Sequence, residues 1–162
     1  VQFRNPLPGV VIVIQQDGAV LLGRRTGGFG AGNWGLPQGY VEYDEDYLTA
    51  AIREVKEETG LDVEIRAIIN VVSNLLSPGL QTLAIVLRAG VVGGDLRAGD
   101  DLERLEWFPL SGPLPEMAFE ADTMIIERVR IKLDAELPVD PRFARQGPCD
   151  RSGDVTSMGD HS

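Results

Sequence analysis

Apolar positions along this chain follow two different periods, and the change from one to the other lays out the fold. Val10-Val-Ile-Val-Ile14 is an unbroken β-branched run, which predicts a buried strand. Gln15-Gln-Asp-Gly18 is a turn signal, and Ala19-Val-Leu-Leu-Gly23 returns as the hairpin partner. A glycine-rich loop, 26–33, and a short extended stretch, 34–39, come next. From there the period becomes helical: Leu48, Ala51, Ile52 and Val55 form an apolar stripe within a predicted helix over 46–59. Asp44 suits its N-cap, with Asp46 also favourable near the start, and Gly60 suits the left-handed stop.

Strand patterns resume over 63–72, 80–88 and 105–108, and Leu80-Gln-Thr-Leu-Ala-Ile-Val-Leu is apolar enough for a central strand. Gly93-Gly94-Asp95 and Ala98-Gly99-Asp100-Asp101 read as turns. A second amphipathic helix is predicted over 117–136, with Met117, Ala121, Met124, Ile125, Val129 and Leu133 on its apolar face. From Pro138 the sequence loses periodicity, so 138–162 is expected to be a disordered tail behind one domain, 1–137. The order hairpin, loop, helix, strands, helix predicts an α+β or α/β sandwich.

Composition narrows the function classes. With 162 residues, 43% apolar and 25% charged, the chain suits a soluble globular domain. No apolar run reaches membrane-spanning length and no signal peptide pattern opens it, so no membrane partner is expected. A start at Val1 leaves room for a missing upstream segment. The single cysteine, Cys149, excludes an internal disulfide framework and a cysteine zinc site, and a reducing cytoplasm is the default expectation. A formal charge of −10 argues against binding nucleic acid through its backbone.

Chemistry concentrates at Glu54, Glu57 and Glu58, which share one side of the predicted helix. Like charges at that spacing repel by a few tenths of a kcal/mol per pair, roughly, unless neutralised. A hard divalent cation such as Mg²⁺, with Mn²⁺ as the other option, takes carboxylate ligands together with substrate phosphates. Arg24 and Arg25 match phosphate with paired donors, and Tyr40, Phe29 or Trp34 offers a ring to stack on a base, with packing under the loop the other reading of Trp34. Trp107-Phe108 reads as core.

The segment from Gly39 through Glu45, Arg53, Glu54, Val55, Glu57, Glu58 and Gly60 to Leu61 resembles the Nudix box, the signature of nucleoside-diphosphate-X hydrolases. The resemblance implies an α/β/α sandwich with a mixed sheet and Mg²⁺-dependent cleavage of a pyrophosphate bond. It implies Glu54, Glu57, Glu58 and the Gly39 carbonyl as metal ligands, with Arg53 orienting a ligating glutamate although helical geometry turns it from the cluster. Glu45, nearly a helix length away, is expected to be structural. The general base falls to Glu54 or to a later loop glutamate, Glu116 or Glu120; His161 sits in the tail.

Asn5-Pro6 and Ser77-Pro78-Gly79 look like the ADP-ribose and NADH pyrophosphatase branch, which favours ADP-ribose or a nucleotide sugar, then NADH. Pro37-Gln38-Gly39 is shared with dinucleoside-polyphosphate hydrolases, but Tyr40 departs from their second glycine. A nucleoside triphosphate substrate, or a sensor that binds without cleaving, is the remaining alternative. A homodimer is expected by analogy with the ADP-ribose branch.

Overall fold

The computed structural model describes residues 4–132 and 135–140. Its order is β1 (Leu7–Gln16), β2 (Ala19–Arg25), β3 (Trp34–Gly35), β4 (Gln38–Tyr40), α1 (Tyr47–Thr59), β5 (Leu61–Ser77), β6 (Leu80–Gly94), β7 (Leu102–Pro109), α2 (Glu120–Arg130) and β8 (Leu137–Pro138). The strands run β3-β2-β1-β6-β5-β8 across the sheet, with β4 also on β1 and β7 on β2. β1 and β6 are parallel and the other pairs antiparallel, so the sheet is mixed.

Both faces of β1 are buried, as its unbroken apolar run requires. Val10, Ile12 and Ile14 pack with Ala50, Ala51 and Val55 of α1. Val11 and Val13 point the other way, into a cluster with Ile125 and Ile126 of α2. One helix therefore covers each face: an α/β/α sandwich. β6 lies between β1 and β5, the central position expected of it. The hairpin turn is tight because Asp17 and Gly18 both take positive φ, 50° and 75°.

Local details depart from the sequence reading in physically instructive ways. The N-cap of α1 is Asp46 rather than Asp44: its Oδ1 accepts from the backbone N–H groups of Leu48 and Thr49, each at 2.9 Å. The buried stripe is Ala50, Ala51, Val55 and Thr59, while Ile52 is 45% exposed. β6 runs on through Gly93 and Gly94, which pair with Asp62 and Leu61 instead of turning. α2 starts at Glu120, because Met117 is held in a strand-like bridge to Trp34. Its buried face is Asp122, Ile125 and Ile126, with Met124 60% exposed. Pro138, expected in the tail, pairs with Ala67. The tail from 141 onward and Leu133 lie outside the described residues.

Candidate active site

The acidic side of α1 faces a cleft of about 460 Å³, lined by Glu54 and Glu58 from the helix, Gln38, Gly39 and Tyr40 from β4, Arg25 from β2 and Asp101 from the β6–β7 loop. Arg53 organises it. Its Nε and Nη2 hold the two oxygens of Glu45 at 3.0 and 2.6 Å, a paired fork. Its Nη1 donates to Glu54 Oε1 at 2.9 Å and to Glu57 Oε2 at 3.3 Å, and Nη2 also donates to the Tyr40 carbonyl at 3.1 Å. A Cβ built on Gly39 would overlap the Glu54 carboxylate, so a side chain here would push that carboxylate away from the β4 backbone. Gly60, at φ 74°, ends the helix just past Glu58, and a Cβ there would collide with the Asp95 carbonyl.

Two carboxylates on Arg53 shift in opposite directions. Glu45 sits below the usual carboxylate range because the Arg53 hydrogen bonds outweigh its slight burial. Glu54 sits above it because burial outweighs the same arginine. Glu58 is pushed up to about 8 by burial, with repulsion from Glu54 and Asp101 added; the Gln38 N–H, at 3.1 Å, and Arg25 oppose this only in part. Positive charge is thus in short supply at the inner end of the cleft. Across the sheet, buried Asp122 accepts from Leu36 N at 3.0 Å and Gln38 Nε2 at 3.1 Å on one oxygen, and burial raises its pKa to about 7. Gln38 therefore ties α2 to Glu58: side chain to Asp122, backbone to the carboxylate.

A second cavity of about 820 Å³ adjoins the first. Phe119, Asn74 and Leu76 line both. Phe29 stacks on Phe119 with ring centroids 5.9 Å apart, and the Arg25 guanidinium lies 4.9 Å from the Phe119 centroid.

A family model described as the NUDIX domain matches residues 5–128. The chain belongs to the Nudix family. It is 35% identical over 131 residues to the ADP-ribose pyrophosphatase of Methanocaldococcus jannaschii, covering 80% of this chain and 77% of that protein. It is 34% identical over 109 residues to the oxidized purine nucleoside triphosphate hydrolase of Danio rerio, covering 67% and 69% of the two chains. Among solved structures, the MutT NUDIX hydrolase from Burkholderia pseudomallei superposes with a TM-score of 0.71 at 34% identity, over 77% of this chain and 98% of that one. This Nudix protein is a hydrolase acting on phosphorus-containing anhydrides.

Against that frame of residues, the sequence-based expectations separate. Glu54, Glu58, Gly39, Arg25 and Tyr40 meet in the cleft. Glu57 stands at its outer side with Glu54, Glu58 and Asp101 in an adjoining depression. Arg53 does not turn from the cluster; its long side chain swings back across it, and the same fork brings Glu45 into the network despite the helix length between them. Arg24 does not line the cleft, because alternation along β2 sends it to the Gly32 carbonyl and Glu103. Glu116 and Glu120 also lie outside it; Glu120 lines the second cavity. Trp34 packs edge-on against Phe108 beside the α2-side core instead of facing a ligand. The sequence reading missed Asp101, whose Gly-Asp-Asp context registered only as a turn, and Asp122 and Phe119, which are hidden in the apolar pattern of α2.

Proposed function

We propose that the chain is a divalent-cation-dependent pyrophosphohydrolase of a nucleoside diphosphate joined to a second moiety, ADP-ribose being the foremost substrate. The observation that carries this reading is the two-part site: a carboxylate cleft continuous, through Phe119, Asn74 and Leu76, with a larger cavity floored by aromatic rings. A pyrophosphate fits the first part and a nucleoside the second. The 35% identity to an ADP-ribose pyrophosphatase supports the choice.

The donor set suits Mg²⁺ or Mn²⁺, being hard oxygen throughout, and the raised Glu54 and Glu58 carboxyls mark where positive charge is wanted. Among the described residues the carboxylates do not yet converge on one point. Glu57, Glu58, Glu54 and the Gly39 carbonyl would hold the ion, which supplies shielding of the pyrophosphate oxyanions and a more acidic water. Arg53 fixes Glu54 by its Oε1 and leaves Oε2 open, so Glu54 is the acceptor for the water proton. Gln38 N holds Glu58, and Arg25 reaches the phosphate bound alongside. Phe29 and Phe119 offer faces to the base, taking the role that Trp34 does not.

The second reading, hydrolysis of an oxidised purine nucleoside triphosphate, is favoured by the Danio rerio relative. A panel of ADP-ribose, NADH, diadenosine tetraphosphate, UDP-glucose and 8-oxo-dGTP with Mg²⁺ or Mn²⁺ decides between them. AMP plus ribose 5-phosphate from ADP-ribose is expected; a preference for the triphosphate would move the assignment. The intact box counts against a sensor that binds without turnover.

A further inference from the structure

Among the described residues, the Arg53 fork bonds Glu45, Glu54 and Glu57 but not Glu58. Glu58 is held instead by backbone: the Gln38 N–H donates to its Oε2 at 3.1 Å. The next residue along β4 is Gly39, whose carbonyl is the other oxygen proposed for the cation at this end of the cleft. The place of Gln38 therefore sets two of the oxygen ligands at once.

Gln38 is fixed in turn from α2. Its Nε2 donates to Asp122 Oδ2 and to the Leu36 carbonyl, both at 3.1 Å, and the Leu36 N–H donates to the same Oδ2 at 3.0 Å. Two donors two residues apart thus converge on one oxygen and staple the segment 36–38 to the helix. A Cβ on Gly35 would lie 3.1 Å from that oxygen, so the chain passes tightly against it. A carboxylate in the first turn of a helix is favoured by the helix dipole without being buried. Asp122 is 1% exposed, and burial of a polar group is costly unless directed bonds offset it. Ile125 and Ile126 already anchor α2 in the core. What Asp122 adds to them is direction.

We infer that Asp122 is a positioning residue of the carboxylate site: it fixes Gln38, whose backbone holds Glu58 and presents Gly39. The relay runs from Asp122 Oδ2 through the Gln38 side chain to the Gln38 N–H and Glu58 Oε2, crossing from α2 to α1 by way of β4. Asp122 does not line the cleft and acts only through Gln38. The effect on cation affinity rests on Glu58 and Gly39 being ligands, as proposed above; the hold on Glu58 does not.

Titration of the full chain with Mn²⁺, followed by the electron paramagnetic resonance of the free ion, tests the relay with no substrate present. Asp122→Ala should weaken Mn²⁺ binding about tenfold, the scale of a partner that orients a metal ligand. Gln38→Leu, which cuts the staple and keeps the backbone N–H, should lose as much, and the double variant no more than either. Asp122→Asn keeps the acceptor oxygen and should bind as the wild type does. Ile126→Val, a core change on the same helix, should lower the melting temperature and leave Mn²⁺ affinity unchanged, which separates the relay from general loosening of α2. Unchanged affinity in Gln38→Leu, additive losses in the double variant, or Asp122→Asn as weak as Asp122→Ala would overturn the proposal. A wild type that binds no Mn²⁺ would sink the cation reading instead, and hydrogen exchange at the Gln38 amide then decides the positioning. That exchange should quicken in Asp122→Ala and in Gln38→Leu while the β1 amides keep their protection; equal exchange in all three proteins would overturn it.

Discussion

α1 and α2 cover opposite faces of one sheet and are of similar length, 13 and 11 residues, yet they hold their places by different means. α1 is closed at both ends by its own sequence: Asp46 takes two N–H groups at the start and left-handed Gly60 stops it. α2 begins at Phe119 with no side-chain cap and ends at Ile131 without a glycine. What holds it is tertiary: Ile125 and Ile126 in the core, and buried Asp122 bonded to the Leu36–Gln38 segment. The candidate catalytic carboxylates sit on the self-defined helix, and part of the candidate nucleoside wall sits on the one defined by its contacts. A catalytic cluster needs side chains held on a rigid element, whereas a specificity wall can be re-formed by altering a few contacts.

Substitutions on each helix sharpen that contrast. The largest effect belongs to Glu58→Gln on α1: removing several kcal/mol of charge stabilisation at about 1.4 kcal/mol per tenfold should cost roughly 10²–10³ in kcat/KM. Far-UV circular dichroism of the variant should stay that of the wild type. Arg53→Lys comes next, since an ammonium group cannot span Glu45, Glu54 and Glu57 in one plane; a loss of about 10–100-fold is expected of a ligand-orienting partner. Equal activity in the lysine variant would mean that the fork is not what holds Glu54.

Gly60→Ala tests the C-cap. The left-handed backbone alone should cost about 1–2 kcal/mol in urea unfolding, with more from the clash against the Asp95 carbonyl. The smallest effect is on α2 and depends on pH. Asp122 is raised to about 7 from an unperturbed 3.8, so the folded state holds a proton the unfolded state has released between those values. Its contribution is complete below pH 3.8 and fades as pH rises through 7. Both hydrogen bonds fall on one oxygen, so Asp122→Asn can keep them and mimics the protonated form. The variant should match the wild type near pH 4 and melt higher at pH 8; a lower melting temperature at pH 8 would show that the charge is stabilising.

The same contrast explains how much was legible in the sequence. The box positions, the helix over 46–59, its Gly60 stop and the central place of β6 were readable, because each rests on local spacing or on a run of apolar residues. α2 was placed three residues early because Met117 has helical spacing, and nothing local reveals its bridge to Trp34. Asp122 reads as a solvent-facing residue until Gln38 and Leu36, more than eighty positions away, are brought against it. Arg24 and Arg25 are indistinguishable as a pair of letters, and only the pleat of β2 sends one into the cleft and the other out. Arg53 illustrates the limit of counting by helical angle, since a flexible side chain can cross from one face to the next.

The central claim is that the carboxylate face of α1, organised by Arg53, performs cation-dependent pyrophosphate hydrolysis. It is tested most directly with Glu57→Gln, because the Glu57 side chain is 60% exposed and, among the described residues, is held by a hydrogen bond from Arg53, so its loss should leave the fold intact. Turnover of ADP-ribose by wild type and variant, with Mg²⁺ and then with chelator, is followed by chromatography alongside the melting temperature. AMP and ribose 5-phosphate are expected from the wild type, abolished by chelator and nearly abolished in a variant that melts as the wild type does. A variant that turns over ADP-ribose at the wild-type rate would contradict it.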